Sequence, residues 1–110
     1  NSAKLAKDAG FDGLQLHGAN GYIIDEFIRS HSNRRTDIYG QRYSLMQVSP
    51  ENRARLALEL VDIAFSVFDK SRVSIKLSPT GRYGDMFDAN PKETYKYLLK
   101  ELTKRKIGSV

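Results

Sequence analysis

The chain has 110 residues, of which 40% are hydrophobic, 28% charged and 10% aromatic, and its eighteen basic and thirteen acidic side chains leave a formal charge of +5. This length suits one small domain and falls well short of the roughly 250 residues of a closed eight-stranded α/β barrel. The absence of cysteine excludes disulfide frameworks, thiolate metal sites and cysteine nucleophiles, and no apolar run reaches the roughly 20 residues of a bilayer span.

The opening residues lack a signal-peptide core and a starting methionine. A chain that begins in mid-helix reads as a piece of a longer, cytoplasmic protein. Ala3 to Ala9 forms the tail of that helix, and Gly10 stops it as a C-terminal glycine. Phe11 to His17 is a short alternating segment, with Leu14 and Leu16 on one face and Gln15 and His17 on the other. Gly18 to Pro50 is long and irregular, with one short helix expected over Ile23 to Ile28. Loops of this length inside compact domains are usually functional.

Ser49, Pro50 and Glu51 form a helix start: a cap, a first-position proline and an acid at the positive end of the dipole. The helix is expected to run to about Asp69. Leu56, Leu60, Ile63 and Val67 make its buried stripe, widened by Leu58, Val61, Phe65 and Phe68. Arg72 to Ser78 then alternates, with Val73, Ile75 and Leu77 opposite Ser74, Lys76 and Ser78, until Pro79 ends the strand. After a Gly-rich loop, Asn90, Pro91 and Glu93 open a second helix with a stripe of Tyr95, Leu98, Leu99 and Leu102. Ile107 to Val110 begins a third strand. This alternation of helix and strand predicts an α/β fold with parallel strands, in which the loops leaving strand C-terminal ends carry the chemistry.

Two groups stand at such ends. His17, Asn20 and Tyr22 offer an imidazole, a carboxamide and a phenol within six residues. Two donors converging on one oxygen polarise a carbonyl, and a nearby phenol can supply a proton. A buried histidine followed by a glycine-rich turn and a packed tyrosine accounts for the same residues, and on residue types alone the two readings weigh evenly. Lys76 sits mid-strand beside Ser74 and Ser78. It can stabilise negative charge on a cofactor or substrate, or it can be an inward lysine paired with Gln15 or an acid elsewhere in the barrel; spacing alone favours the second. The glycines form no dinucleotide or phosphate-loop motif, and His17 and His31 lack metal-ligand spacing. The basic residues are scattered rather than gathered into a stripe with aromatics, so neither nucleic acid nor membrane is an expected partner. Asp85, Asp88 and Glu93 read as loop and cap residues rather than as paired catalytic acids.

The segment from Ala9 to Tyr22, AGFDGLQLHGANGY, closely resembles the strand-four signature of the old yellow enzyme family of FMN-dependent NAD(P)H oxidoreductases. The resemblance continues through Ser32 to Asp37, Tyr39-Gly40, Glu51 to Arg55 and Val73 to Pro79, in the family's order. It implies a partial (β/α)8 barrel, roughly strands four to six, so that residues 1–110 form part of a single FMN-binding domain. The implied activity is reduction of activated C=C bonds of α,β-unsaturated carbonyls, or of quinones and nitro compounds, with NADPH or NADH through FMN. His17 and Asn20 then correspond to the pair that holds the substrate carbonyl, Tyr22 to the proton donor and Lys76 to a cofactor-binding position beside the flavin.

Three departures accompany the resemblance. Lys76 replaces the usual arginine, Gln15 stands where glutamate is common, and Gln41 to Pro50 is an insertion. The competing function is a catalytically dead barrel that serves as a binding or scaffold protein, with Lys76 as its lesion. Three strands cannot close a barrel, so the 110 residues alone are expected to be inactive. Oligomeric state is not legible.

Overall fold

The computed structural model describes residues 2–40 and 49–110; the insertion expected over Gln41 to Pro50 therefore lies outside the described residues except for Ser49 and Pro50. The elements follow the order α1 (Ser2–Asp8), β1 (Leu14–Gly18), α2 (Ile23–Ile28), α3 (Pro50–Phe65), β2 (Val73–Leu77) and α4 (Pro91–Arg105). The first helix closes as expected. Gly10 takes a left-handed φ of 91°, and the amides of Gly10 and Phe11 donate back to Lys7 and Ala6 carbonyls at 3.0 and 3.1 Å, satisfying groups that the helix end leaves open.

β1 and β2 pair in parallel, with Gln15 beside Ser74 and His17 beside Lys76. Ser74 also bridges in parallel to Ser109, and Gly108 and Ile75 exchange hydrogen bonds with the backbone of Val73 and Ser109. The expected third strand thus begins on the far edge of β2. Alternation separates the two faces of the sheet as read from sequence: Val73 and Ile75 are buried while Lys76 is exposed.

The aliphatic face is covered by α3 and α4, which share a core with α2 built from Ile24, Ile28, Ala57, Leu58, Val61, Ile75, Leu98 and Leu102. Here α3 differs from expectation in two ways. Its inward line is Ala54, Ala57, Leu58, Val61 and Ala64, whereas Ile63 is 46% exposed and Leu56 and Leu60 are half-buried. Small side chains let this helix lie close to the sheet and to α2, so the larger residues are displaced to its flanks. The helix also ends at Phe65 rather than near Asp69, where the Ser66 hydroxyl donates to the Ile63 carbonyl at 2.6 Å. In α4, Leu99 is 42% exposed and Thr94 takes its place in the buried set.

Caps form where proline and polar residues announced them. Ser49 Oγ accepts from the Asn52 amide at 3.3 Å, and Asn90 Oδ1 from the Glu93 amide at 3.2 Å. Glu93 reaches back to the Asn90 side chain, because the Asn90 amide already donates to Asp88 Oδ1 at 2.8 Å. No helix among the described residues is long and apolar enough to cross a membrane.

The entry to β1 depends on a close backbone approach. A Cβ on Gly13 would lie 2.4 Å from the Arg72 carbonyl oxygen, in the turn that precedes β2. Gly13→Ala must push the two strand entries apart, and we expect it to cost about 1–3 kcal/mol, read as a lowered thermal midpoint of the full-length protein.

Candidate functional site

The two strands present their polar face as two rows. In the lower row, Gln15 Nε2 donates to Ser74 Oγ at 3.2 Å. This is the cross-strand partner that Gln15 takes, so it is not the partner of Lys76. In the upper row, His17 and Lys76 stand side by side by register, on strands about 4.8 Å apart. Both are exposed, and the Lys76 ammonium has no ion pair or hydrogen bond among the described residues. Among the described residues neither Gln15 nor any acid pairs with Lys76.

Beyond β1 the chain turns sharply. Asn20 adopts a left-handed φ of 58° and Gly21 one of 77°, a conformation for which glycine and asparagine are the least penalised residues. The turn brings Tyr22 back over the strand end, with its ring centroid 5.1 Å from that of His17 and the planes tilted by 44°. Tyr22 is 57% exposed. Neither the imidazole, the Asn20 carboxamide nor the Tyr22 hydroxyl has a hydrogen-bond partner among the described residues. Within these residues His17 and Tyr22 are both exposed.

Beneath this exposed trio lies a buried polar hub. Asp25 has no solvent exposure. Its carboxylate accepts from the Gly21 amide at 3.0 Å, Arg29 Nε at 2.8 Å, Ser78 Oγ at 3.3 Å and the Tyr95 hydroxyl at 3.1 Å. Ser78 Oγ in turn accepts from the Asn20 amide at 2.8 Å. Arg29 also donates to the carbonyls of Ser78, Pro79 and Gly81, and its guanidinium stacks over the Tyr95 ring at 5.5 Å. Burial works to lower the Arg29 pKa, but the Asp25 carboxylate and the Tyr95 phenol together outweigh it and the group lies above its ordinary value. Burial, reinforced by the Asp25 charge, raises that of the Tyr95 phenol.

A second hub locks the same end of the sheet. Arg53 is fully buried and donates to the Ile28 carbonyl at 2.8 Å and Thr94 Oγ1 at 2.6 Å, with Asp88 Oδ2 at 3.5 Å. Desolvation lowers its pKa, and the Asp88 charge opposes that. Asp88 also accepts from the Ser30 and Asn90 amides, so it is a loop and cap residue, as its position suggested. Asn33 pins the loop after α2 by donating to the Phe27 and Tyr39 carbonyls at 2.7 Å each.

Sequence reading passed over Asp25, Arg29 and Ser78. The one available signal was the i, i+4 acid–base pair in α2; nothing local linked it to Ser78, 53 residues away. A cleft of about 630 Å³ lies at the free edge of β1 among Ala6, Leu14, Leu16, Leu60 and Ile63. It is almost wholly apolar and offers no convergent polar groups.

Comparison with known proteins bears on this geometry. All of residues 1–110 match the model of the NADH:flavin oxidoreductase / NADH oxidase family. A putative 12-oxophytodienoate reductase 3 of Oryza sativa subsp. japonica is 42% identical over 103 residues, which cover 94% of this chain and 25% of that protein. A probable flavin mononucleotide-dependent alkene reductase of Leishmania infantum is 39% identical, over 97% of this chain and 27% of its own. Among solved structures, morphinone reductase in complex with tetrahydroNAD superposes with a TM-score of 0.88 at 39% identity, covering 97% of this chain and 28% of that one. The old yellow enzyme homologue from Zymomonas mobilis gives the same TM-score at 37% identity, with the same coverage. The chain thus spans about a quarter of the length of these relatives, and its fold is part of a (β/α)8 barrel.

Proposed function

Because the chain belongs to the NADH:flavin oxidoreductase / NADH oxidase family, we propose that the full-length protein is an FMN-dependent ene-reductase, using NADPH or NADH to reduce activated alkenes of α,β-unsaturated carbonyls, quinones or nitro compounds. The observation that carries this reading is the exposed trio at the end of β1: three side chains with hydrogen-bonding capacity, none spent on the protein among the described residues. A dead barrel used as a scaffold would have no reason to hold all three free above two buried hubs.

The residues fit a flavin on one further count. Lys76 stands in the row of His17 on the open face of the sheet, with no acid of the described residues against it, so its charge is available to an electron-rich ring. A bound FMN would supply the hydride chemistry between nicotinamide and alkene, and Lys76 would be among the residues that hold it. His17 and Asn20 donate hydrogen bonds to the substrate carbonyl oxygen, where negative charge grows as the double bond is reduced. The Tyr22 hydroxyl gives its proton to the α-carbon. Lys76 supplies positive charge beside the flavin, as a point charge rather than the planar fork of an arginine. The 110 residues by themselves, which hold two paired strands and the start of a third, provide only this part of the site.

Three measurements test the reading in the full-length, FMN-loaded protein. Removing one donor to a developing oxyanion is expected to cost about 3 kcal/mol, or 10²–10³ in rate, so His17→Ala and Asn20→Ala must each slow enone reduction and weaken phenol binding followed by flavin absorbance. Unchanged phenol affinity in both variants refutes the pair. Tyr22→Phe removes one proton and keeps the ring; enone-driven reoxidation of the flavin is expected to slow by about 10²–10⁴ while quinone reduction survives, and equal loss of both would make Tyr22 a wall of the pocket instead. Lys76→Met is expected to lower the flavin reduction potential and to slow reduction by the nicotinamide, because a positive charge near the ring favours its anionic reduced form; a wild-type potential would make Lys76 structural.

A further inference from the structure

The exposed trio is only as well aimed as the turn that carries it, and that turn is costly. Asn20 and Gly21 are consecutive residues in left-handed backbone, and a non-glycine residue there persists only where its surroundings hold it. Their amide hydrogens are the groups such a turn leaves over. Asn20 N donates to Ser78 Oγ at 2.8 Å and Gly21 N to Asp25 Oδ2 at 3.0 Å. The two acceptors are themselves joined, with Ser78 Oγ donating its proton to Asp25 Oδ2 at 3.3 Å. Arg29 completes the arrangement from behind, through Asp25 Oδ1 at 2.8 Å and the Ser78 carbonyl.

We propose that Ser78, backed by Asp25, is a positioning residue: its hydroxyl fixes the Asn20–Gly21 turn and thereby sets where the Asn20 carboxamide and the Tyr22 phenol stand over the substrate site. The proposal rests on the roles given above to Asn20 and Tyr22. Its physical content is a division of labour between two strands. β1 and the turn after it supply the side chains that meet substrate, whereas the first residue past β2 supplies the acceptor that holds the turn. Ser78 has one proton, and that proton is committed to a buried carboxylate, so the oxygen's lone pair toward Asn20 is fixed in direction. Ser78, two residues downstream of Lys76, ties the turn to the strand that carries the cation. His17, by contrast, is held within β1 by its own strand pairing and does not depend on Ser78.

The test uses the full-length, FMN-loaded protein and phenol as the probe. Ser78→Ala removes one oxygen, and the turn loses the anchor at Asn20 while the Gly21–Asp25 bond and the strand pairing remain. We expect FMN content to be retained, phenol affinity to fall by about tenfold, the scale of one anchoring hydrogen bond, and kcat with an enone to fall further than kcat with a quinone, because Tyr22 is displaced along with Asn20. Tyr95→Phe serves as the structural control. It deletes the 3.1 Å hydrogen bond to Asp25 Oδ1, on the side of the carboxylate away from the turn, and is expected to lower the thermal midpoint without moving phenol affinity. If Ser78→Ala binds phenol as the wild type does while Asn20→Ala does not, the positioning role is overturned and the site assignment stands. If Tyr95→Phe weakens phenol binding as much as Ser78→Ala, loosening of the hub accounts for the effect and the positioning role is again overturned. If Asn20→Ala itself leaves affinity unchanged, the role given to Asn20 falls and the positioning role falls with it.

Discussion

The carboxylate of Asp25 is buried without any contact with solvent, and a charge in that position costs several kcal/mol unless its lone pairs are filled. Here they are filled from four directions: the turn after β1 through Gly21, α2 itself through Arg29, the end of β2 through Ser78 and α4 through Tyr95. No two of these donors are supplied by the same element. The need to satisfy one buried charge is therefore also what gathers the C-terminal ends of both strands and the helix that follows the second. Arg29 carries the requirement one step further. Its own buried charge is met by Asp25, and its remaining donors are spent on the carbonyls of Ser78, Pro79 and Gly81, where a proline-ended strand leaves acceptors free.

Arg53 and Asp88 repeat the device a short distance away, tying the end of α2 and the start of α4 to the first turn of α3. The two hubs divide the molecule by chemistry. Toward one side of the sheet the contacts are aliphatic, through Val61, Ile75, Leu98 and Leu102, and they tolerate adjustment in proportion to volume. At the strand ends the contacts are charged, directional and buried, and they leave little freedom. There the buried, hydrogen-bonded groups lie beneath the exposed side chains of His17, Asn20 and Tyr22.

Lys76 shows how a departure from a family pattern is judged by its surroundings. A lysine cannot reproduce the bidentate geometry of arginine, and paired with an acid it would contribute only a structural link. Instead its neighbour across the register is His17, and Gln15 is turned to Ser74. The charge is retained and has no ion pair among the described residues.

Much of this was legible from the order of residues alone. Gly10 stopping α1, the Ser49–Pro50 and Asn90–Pro91 starts, the two alternating strands and the short helix over Ile23 to Ile28 all follow from local backbone preferences, which act within a few residues. The cluster of His17, Asn20 and Tyr22 was equally visible, because its members are close in sequence. Their exposure was not, since it depends on what packs around a strand end. The buried face of α3 was misjudged for a similar reason: periodicity marks which residues share a side, but the depth of a helix against its sheet decides whether alanine or leucine fits there. The Asp25 hub lies furthest from sequence reading. Its members are separated by up to 70 residues, and only tertiary packing, by stripping water from a carboxylate, creates the demand that brings them together.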